Sequence, residues 1–524
     1  MKVEELTIQE LIKNRIKTPA GLALVKRKMA KKYKIPCPSN IELLKAYHEL
    51  LRKGRIKKSK KIENLLKTRP VRSLSGIINI SVLTKSYPCP GKCLYCPIEK
   101  GIPKSYVSGE PAVERAKRLK FDPYLQVKKR IEMLENEGHP TDKIELRIVG
   151  GTWSYYPRRY QTWFITRCFA ACNAKLTRNR NAKLTRKIIT LKEEQKRNER
   201  AKYRIVGLSI ETRPDFINSR EVKWLRESGV TMVELGVQSV YDDVLKLNLR
   251  GHTIKETVLA TKLLKDAGFK VLYQMMPNLP GSDLKQDRKM FEELFKNPDF
   301  QPDLLKIYPC ALLKKTPLYK WWKRGKYKPY AKKQLISLIK KIKKKIPYYV
   351  RIQRITRDIP SPSIVAGPAK ISNLRQVVAK EAEREGWKCR CIRCREIREN
   401  YNPKEKLYLF REGYKASKGK EVFLSLENKK RTKLYSLLRL RITSENRAIV
   451  REVHTYGQLV PIAKKELAPQ HKGLGKKLMK EAEKIAKKEF GLKEISVISG
   501  AGARSYYRNL GYELKNTYMT KVFL

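Results

Sequence analysis

Three cysteines lie within the eight residues "CPGKCLYC", where Cys89, Cys93 and Cys96 have C-x3-C-x2-C spacing. A structural zinc is usually closed by four protein ligands, and a disulfide joins cysteines in pairs, so three thiols complete neither site. Three ligands suit a metal centre that leaves one position open for another molecule. The alternative that the residues leave open is a zinc site whose fourth ligand lies elsewhere in the chain.

A second cysteine triplet and a glycine loop are further candidates for chemistry. "CRCIRC" carries Cys389, Cys391 and Cys394, which suit a tetrahedral zinc with a fourth ligand that the sequence does not identify. Free thiols on a basic surface are the alternative. "QHKGLG" precedes an amphipathic helix, and such a loop presents backbone N–H groups that favour a pyrophosphate. An ordinary glycine-rich turn has the same pattern.

The charge of the chain indicates a polyanionic partner. Among 524 residues, 118 are Lys or Arg and 51 are Asp or Glu, a formal net charge of +67. A thermostable surface would be rich in both signs, so this excess favours nucleic acid binding. The chain has no apolar run of membrane-spanning length, and its start lacks the apolar core of a signal peptide. We expect a cytoplasmic protein without membrane partners, in which clustered cysteines favour metals over disulfides.

Four regions must position these residues. Residues 1–75 predict a basic helical region, with capping boxes at Thr7/Glu10 and Ser39/Glu42 that indicate two helix starts. In residues 76–385, six apolar strands alternate with helices, which predicts an α/β fold with a parallel sheet and chemistry at the carboxyl ends of its strands. Residues 386–402 hold the second cysteine triplet. Residues 403–524 predict an α+β unit with an antiparallel meander, the glycine loop and a helix.

The first cysteine loop resembles that of the radical SAM superfamily. The shared features are its spacing, Tyr95 before the last cysteine, "GGT" after a later strand and "GVQS" after another. The resemblance implies a partial (β/α)6 barrel and a [4Fe–4S] cluster on Cys89, Cys93 and Cys96, whose open iron binds S-adenosylmethionine (SAM). It implies SAM contacts from Tyr95, Gly150, Gly151, Thr152 and Gln238.

The C-terminal unit resembles GNAT acetyltransferases, whose Q/R-x-x-G-x-G/A loop grips the pyrophosphate of acetyl-CoA. Together with "ETRPD", "RGHT", "REVHTYG" and "YYRNLGY", the pairing makes residues 76–524 similar to the catalytic subunits of Elongator, in an archaeal form. The resemblance implies that 5-carboxymethyluridine is formed at the wobble position of tRNA. A SAM-derived radical would activate the methyl group of acetyl-CoA for addition to the uracil, and the thioester would then be hydrolysed.

The same resemblance implies further site residues and partners. The implied acetyl-CoA contacts are Lys143, Glu452, Val453, His454, Thr455, Gln470, Gly473, Leu474, Gly475, Lys476 and Tyr507. Of these, Glu452, His454 and Tyr507 are the catalytic candidates. A surface lysine, a strand histidine or a core tyrosine would explain single members of this set. The implied partners are the anticodon region of tRNA and an electron donor, while self-association and accessory subunits are left open. The implied zinc site is the Cys389 triplet.

A protein lysine acetyltransferase, with the barrel as a scaffold, is the alternative function. Its lysine-rich substrates would be repelled by a chain of charge +67, so tRNA is favoured. A tRNA-binding scaffold without activity is disfavoured by the complete cysteine motif.

Overall fold

The centre of the molecule is a parallel sheet of seven strands. In this computed structural model, which describes residues 2–174, 189–398, 401–457 and 473–523, the strands are ordered as in the sequence. They are β1 (Ile78–Leu83), β2 (Lys143–Val149), β3 (Arg204–Thr212), β4 (Met232–Gln238), β5 (Lys270–Met275), β6 (Leu304–Ile307) and β7 (Arg351–Ile355). With β1 and β7 at its edges, the sheet is the predicted partial barrel with one strand more than the six expected. All seven residues of β4 are buried, as expected for a strand covered on both faces.

Helices cover the outer face of this barrel, and every crossover between neighbouring strands contains one or two of them. They are α5 (Pro111–Arg118), α6 (Pro123–Asn136), α7 (Arg158–Asn173), α8 (Leu191–Asn198), α9 (Ser219–Glu227), α10 (Asp242–Leu247), α11 (Ile254–Asp266), α12 (Leu284–Lys296), α13 (Pro317–Lys323), α14 (Lys332–Lys345), α15 (Leu374–Arg384) and α16 (Ile392–Arg395). Parallel strands require such crossovers, so the cysteine loop and the other loops at the carboxyl ends gather at one edge.

Four helices precede the barrel: α1 (Val3–Lys13), α2 (Pro19–Tyr33), α3 (Asn40–Arg52) and α4 (Lys60–Leu66). They share an apolar cluster of their own. The predicted capping box of Ser39 and Glu42 is confirmed at the start of α3. The helix start predicted at Thr7 is wrong, because α1 begins at Val3 and the buried Thr7 hydroxyl donates to the Val3 carbonyl at 2.7 Å. A threonine inside a helix can donate to the carbonyl one turn earlier, so the Thr-x-x-Glu pattern alone does not distinguish a helix interior from a helix start.

The C-terminal domain is built on a second seven-stranded sheet, in the order β13-β14-β12-β11-β10-β9-β8. Its elements are β8 (Tyr408–Ala416), β9 (Gly419–Glu427), β10 (Leu434–Ile442), β11 (Ala448–Thr455), α17 (Leu474–Lys484), β12 (Glu494–Val497), α18 (Arg504–Arg508), β13 (Glu513–Lys515) and β14 (Tyr518–Val522). The predicted meander is confirmed as β9, β10 and β11, while β11 and β12 pair in parallel through Ala448–Val450.

Buried ion pairs join the barrel to the C-terminal domain. Arg451 of β11 binds both Asp303, directly before β6, and Glu421 of β9. Lys265 of α11 lies 3.5 Å from Asp303 and 3.3 Å from Glu421. Burial would raise the pKa of the Asp303 and Glu421 carboxyls, but Arg451 and Lys265 outweigh it and hold both pKa values below their usual range. These pairs fix the orientation of the two domains.

Among the described residues, no helix combines the length and the apolar composition needed to cross a membrane.

Candidate active site

The cysteine loop after β1 lines a cavity at the carboxyl ends of the barrel strands. Cys89, Cys93 and Cys96 share this cavity with Tyr95, Gly151, Thr152 and Gln238, which are all residues that the sequence assigned to the cluster or to SAM. The loop is held from two sides, because Leu94 N–H donates to the Asn248 carbonyl at 3.2 Å and Leu318 N–H donates to the Leu94 carbonyl at 2.9 Å. The thiols are therefore positioned by the fold.

Arg250 is the charged partner of this loop. Its Nη1 donates to Sγ of Cys93 at 3.5 Å, and its Nη2 donates to the Gly236 carbonyl. Burial alone would raise the pKa of the Cys93 thiol, but Arg250 outweighs it and lowers the pKa. A side chain at position 236 would place its Cβ 2.6 Å from Arg250 Nη2, so the glycine of "GVQS" makes room for this arginine.

The two cysteine triplets differ in the distances between their sulfurs, and this difference bears on which metal centre each can hold. The sulfurs of Cys389, Cys391 and Cys394 all lie within 4.8 Å of one another, whereas those of Cys89, Cys93 and Cys96 form no such group. One tetrahedral metal with bonds of about 2.3 Å needs closely gathered sulfurs, while a polynuclear cluster spans a wider set. The cysteine loop therefore fits a [4Fe–4S] cluster better than a single zinc.

Buried polar atoms without partners surround the same cavity. Among the described residues, Tyr95 Oη, Arg213 Nη1 and Gln238 Oε1 are buried and accept or donate no hydrogen bond. Buried polar groups normally find partners, so these atoms are the expected contacts of a polar ligand. They supply donors and one acceptor, which suits the amino acid and ribose groups of SAM as well as cluster sulfur.

The two glycines of "GGT" have different surroundings. Gly150 has φ +140°, and a Cβ there would lie 1.9 Å from Thr84 Oγ1, so this position tolerates no side chain. Gly151 has φ +101° and lines the cavity. Thr152 follows, with Oγ1 3.9 Å from Sγ of Cys89. Gly150 thus lets β2 approach β1, whereas Gly151 and Thr152 border the site itself.

A layer of charged side chains crosses the barrel lumen, and the sequence did not predict it. Lys306 of β6 binds Glu234 of β4 and lies 3.4 Å from Glu211 of β3, while Arg147 of β2 donates to Glu234 at 2.8 Å. Burial would raise the pKa of Glu234, but Lys306 and Arg147 lower it to about 2. Glu234 is therefore a permanent carboxylate in the lumen.

A second cavity lies on the other side of this layer. Its lining includes Glu452, His454 and Tyr456 of the C-terminal domain and Glu145 and Lys270 of the barrel. Three further lining residues, Arg147, Lys306 and Arg354, also line the cysteine cavity. The cysteine loop is thus separated from Glu452 and His454 by side chains of the lumen that line both cavities.

Cations from both domains hold Glu452, one of the three catalytic candidates of the C-terminal domain. Lys270 contacts Oε1 of Glu452 at 3.2 Å and Arg439 contacts Oε2 at 2.8 Å. Burial would raise the pKa of Glu452, but these cations lower it to about 2. Burial, with Tyr506 and the Glu452 charge, raises the pKa of Tyr507 above its usual value, so this hydroxyl stays protonated.

His454 is held by a backbone carbonyl of the chain that precedes β1. Its Nε2 lies 2.7 Å from the Ser75 oxygen, which can only accept, so Nε2 carries a hydrogen. Burial lowers the pKa of His454 despite the Glu452 charge, which keeps the ring neutral. Its Nδ1 is then the nitrogen that can accept a proton.

The described part of the glycine loop forms the start of α17. Gly473 has φ +69° and precedes the helix, and the first bond within the helix runs from Lys477 N–H to the Gly473 carbonyl at 2.9 Å. The amides of Leu474, Gly475 and Lys476 precede that bond and point out of the helix end, as an anion site requires. Gln470 lies outside the described residues.

Gly475 brings the loop against β11. A Cβ at this position would lie 2.9 Å from Tyr506 Oη, 3.6 Å from Val453 and 3.9 Å from Thr455 Oγ1. The two tyrosines of "YYRNLGY" therefore have different places. Tyr506 is exposed beside Gly475, whereas Tyr507 is buried in the apolar core of the domain. The sequence assigned Tyr507 to acetyl-CoA, and the structure places Tyr506, which was not assigned, beside Gly475.

Lys143 begins β2, on the strand face that also carries Glu145 and Arg147. These two neighbours line the second cavity, while Lys143 lies at the end of their row and is half-buried. Burial lowers its pKa to about 8. The structure thus places Lys143 on the strand face that reaches the second cavity, without bringing it into the cavity lining.

The second cysteine triplet lies between the barrel and the C-terminal domain. Lys343 Nζ donates to Sγ of Cys394 at 3.5 Å. Hydrogen bonds from the thiols of Cys389 and Cys394 lower the pKa of Cys391 well below its usual range, despite its burial. A thiolate among gathered sulfurs fits a zinc, and the three described ligands leave its fourth position unassigned.

The chain matches three protein families in sequence. Residues 83–294 match the radical SAM superfamily, residues 302–384 match the radical SAM C-terminal domain, and residues 444–512 match the acetyltransferase (GNAT) family. The two radical SAM matches cover the barrel from the cysteine loop to α15, and the third covers the glycine loop.

Relatives match almost the full length of the chain. A "tRNA uridine(34) acetyltransferase" of Methanocaldococcus jannaschii is 46% identical over 92% of this chain and 90% of its own. "Elongator complex protein 3" of Homo sapiens is 37% identical over 99% of this chain and 97% of its own. The solved structure of Methanocaldococcus infernus Elp3 with an N-terminal deletion is 44% identical, with a TM-score of 0.74 over 86% of this chain and all of that one.

Proposed function

The chain belongs to the Elp3 family, which joins a radical SAM domain to a GNAT domain, and on this premise we propose that it modifies the wobble uridine of tRNA. The product that we propose is 5-carboxymethyluridine, with acetyl-CoA as the carbon donor. The acetyl methyl group gives one hydrogen atom to the SAM-derived radical and bonds to C5 of the uridine. C5 then loses its hydrogen as a proton together with one electron, which offsets the electron consumed in cleaving SAM, and water releases CoA as its thiol. We expect the enzyme in the cytoplasm, with its tRNA.

The observation that carries this proposal is the shared lining of the two cavities. Arg147, Lys306 and Arg354 border the cysteine loop on one side and the Glu452 and His454 side chains on the other. Two independent enzymes on one chain would not need a common wall. A reaction that takes carbon from acetyl-CoA and adds it to a base at the cysteine cavity does need one.

The names of the relatives support the same reaction class. The Methanocaldococcus jannaschii relative is named for uridine 34 of tRNA and for acetyl transfer. The charge of +67 supports an RNA substrate independently of any name. A groove between α2 and α4 adds to this, because Lys17, Lys26, Arg27, Lys61 and Lys67 line it and no acidic residue of the described chain does.

The residues of this chain have separate roles in the proposed reaction. Cys89, Cys93 and Cys96 would hold the cluster that, with SAM, supplies a carbon-centred radical. Arg250 orients Cys93 and stabilises its thiolate. The first-turn amides of α17 would bind the pyrophosphate of acetyl-CoA, and the lysines that flank Gly473 in a shallow groove, Lys476, Lys477, Lys480 and Lys484, would attract its phosphates.

Thioester hydrolysis is assigned to the end of β11. His454 Nδ1 accepts the proton of the attacking water, since Nε2 is committed to Ser75. The departing thiolate takes up the proton that His454 accepted, since Tyr507 is buried in the apolar core of the domain. Glu452 is too acidic to exchange protons at neutral pH, so its role is to stabilise the protonated form of His454.

The test is anaerobic reconstitution of the full chain with iron and sulfide, followed by reaction with SAM, a chemical reductant, tRNA and acetyl-CoA carrying carbon-13 in its methyl group. We expect labelled 5-carboxymethyluridine in the digested tRNA, together with deoxyadenosine. An unlabelled product would exclude acetyl-CoA as the donor. Absence of the product, with acetyl-lysine forming on a peptide offered in parallel, would favour a protein acetyltransferase instead.

A further inference from the structure

Three aromatic rings lie together beyond the carboxyl ends of three consecutive barrel strands. Tyr87 follows β1, Tyr155 follows β2 and Phe216 follows β3. The ring centroids of Tyr87 and Tyr155 are 5.9 Å apart, and those of Tyr155 and Phe216 are 5.7 Å apart. We call these three rings the aromatic rim.

The aromatic rim lies next to the lining of the cysteine cavity along the chain, although its three rings are not part of that lining. Each ring follows or precedes a cavity-lining residue by two or three positions: Tyr87 precedes Cys89, Tyr155 follows Thr152, and Phe216 follows Arg213. Arg213 also lies over the Phe216 ring at 5.9 Å. These short offsets, with the ring contacts that join the three strand ends, lead us to take the aromatic rim as one side of the cavity mouth.

The rings of the rim are not part of the apolar core. None of the apolar clusters formed by the described residues includes Tyr87, Tyr155 or Phe216, although Trp153, two residues before Tyr155, is a core residue. Tyr155 is 40% exposed. A large aromatic ring outside the apolar core contributes little hydrophobic stabilisation to the fold. A group of such rings beside a cavity therefore indicates a ligand-binding surface.

The rim has a rigid support. Tyr87 stacks on the buried Tyr156 with centroids 4.9 Å apart and an interplanar angle of 29°. The Tyr156 hydroxyl is fixed by Thr84 Oγ1 at 2.9 Å and by the Lys85 carbonyl, to which it donates at 2.8 Å. Because these groups lie directly after β1, the ring of Tyr87 is held by the barrel and is preorganised for stacking.

The charges near the rim favour a polyanion. Lys85, Lys92 and Arg159 lie within five positions of Tyr87 or Tyr155 in the sequence and are exposed, and none forms a salt bridge within the part of the chain that the structure describes. The Lys85 ammonium lies 5.1 Å from the centroid of the Tyr160 ring. The exposed Asp215 is already bound to Arg213 by hydrogen bonds of 2.9 and 2.8 Å. Aromatic rings among unpaired cations are the composition of a single-stranded nucleic acid site.

We propose that the aromatic rim stacks unpaired nucleobases of RNA, namely the anticodon-loop bases next to the uridine that enters the cavity. This inference rests on the proposed function. A base that leaves the loop to reach a cavity deprives its neighbours of a stacking partner, and this loss costs binding free energy. The rings of Tyr155 and its neighbours replace that partner at the cavity mouth.

The test uses the full chain and an anticodon stem-loop RNA with the fluorescent base 2-aminopurine beside the target uridine. We expect the wild-type chain to quench this fluorescence. Tyr155→Ala should lose most of the quenching and bind about tenfold more weakly, while the slope of log K against log salt stays unchanged, because a ring carries no charge. Tyr155→Phe keeps the ring and should restore both signals.

Trp163→Ala is the matched control, since Trp163 is 43% exposed but follows no cavity-lining residue closely. Equal losses in Tyr155→Ala and Trp163→Ala would overturn the proposal, as would unchanged quenching in Tyr155→Ala. If Tyr155→Ala binds RNA normally but reacts slowly with a protein reductant and normally with dithionite, the rim is a docking surface for the electron donor, and the proposal is also wrong.

The outcomes separate this inference from the proposed function. If the wild-type chain quenches the probe but makes no carboxymethyluridine, the proposed reaction fails and the rim assignment stands. If the wild-type chain makes the product and Tyr155→Ala quenches as well as the wild type, only the rim assignment fails.

Discussion

Lys270 at the start of β5 lies 3.2 Å from Oε1 of Glu452 at the end of β11, so a barrel residue helps to position a carboxylate of the C-terminal domain. Arg439 holds the other oxygen. Lys270 comes from the barrel, whereas Arg439 and Glu452 come from the C-terminal domain. The acetyl-CoA end of the proposed site is therefore complete only when the domains are joined.

The first prediction concerns this pair. Lys270→Met keeps the length of the side chain but removes one charge-assisted hydrogen bond to Glu452, worth about 1.5 kcal/mol or more. We expect acetyl-CoA-dependent carboxymethyluridine formation to fall about tenfold, measured by nucleoside mass analysis. Lys270→Arg should retain most of the activity. Lys129→Met, which removes an exposed pair with Glu132, is the control, and an equal loss there would contradict the role of Lys270.

The second prediction concerns the buried ion pairs between the domains. Arg451→Met removes one of the two cations, Arg451 and Lys265, that Asp303 and Glu421 share, which should destabilise the chain by about 3 kcal/mol. Arg411→Met removes an exposed pair with Glu489, in which both side chains are more than 40% exposed, and should cost under about 1 kcal/mol. Thermal unfolding measures both. Similar melting temperatures would mean that the interdomain pairs do not hold the domains together.

The same pairs give a pH dependence of known sign. The folded-state pKa values of Asp303 and Glu421 are depressed, so their contribution to stability is present above about pH 4 and is lost as the pH falls below it. Arg451→Met should weaken this acid sensitivity, because the carboxyls then lose a main cause of their depressed pKa values.

The sequence predicts those parts of the site whose residues are neighbours along the chain. The cysteine loop and "GGT" are local motifs, and they line one cavity as expected, apart from Gly150. The charged layer of Glu211, Glu234 and Lys306 comes from β3, β4 and β6, and its contacts depend on the register of strands far apart in sequence. No local pattern reveals such a set.

The unpredicted strand and the unpredicted place of Tyr506 have similar causes. β7 reads "RIQRI", and its Arg351 and Gln353 face the polar second cavity, so the strand lacks the apolar run by which the other six were recognised. Tyr506 and Tyr507 are adjacent and chemically alike. Only the direction of α18 decides which of them lies beside Gly475.

The third prediction separates the two metal sites. Purified chain reconstituted with iron and sulfide should also contain about one zinc. Cys93→Ser should abolish SAM cleavage and retain zinc, whereas Cys391→Ser should lose zinc and retain the cluster absorbance, because the triplets lie on different elements. Metal analysis measures the zinc and iron content, and deoxyadenosine formation measures SAM cleavage. Loss of both metals in both variants would show that the sites are not independent.

The fourth prediction concerns the basic groove of the N-terminal helices. Lys17, Arg27 and Lys61 are exposed and line it. Replacing all three by Ala should weaken tRNA binding and flatten the slope of log K against log salt by about 2–3, since each phosphate contact contributes about 0.7–0.9. Lys418, Lys429 and Lys430 are equally exposed in the C-terminal domain and provide the matched triple variant. Equal slopes for the two triples would place the RNA elsewhere.

The last prediction tests whether the two domains act on one substrate. Gly475 lies in the first turn of α17, and a side chain there would meet Tyr506 Oη at 2.9 Å. Gly475→Glu also brings a carboxylate to amides that we assign to a pyrophosphate, so acetyl-CoA affinity should fall by a hundredfold or more, as isothermal titration would measure. The cysteine loop lies in the barrel, and its cluster should assemble normally in this variant.

In the Gly475→Glu variant, the amount of carboxymethyluridine in the tRNA shows whether the two domains act on one substrate. If acetyl-CoA supplies the carbon, Gly475→Glu makes no carboxymethyluridine, although the intact cluster still cleaves SAM without a productive acceptor. Gly413→Glu, which changes an exposed position of β8 with open space around its Cβ, should behave like the wild type. If Gly475→Glu loses acetyl-CoA binding yet still modifies tRNA, the barrel draws its carbon from another donor, and the wall shared by the two cavities has no role in transfer.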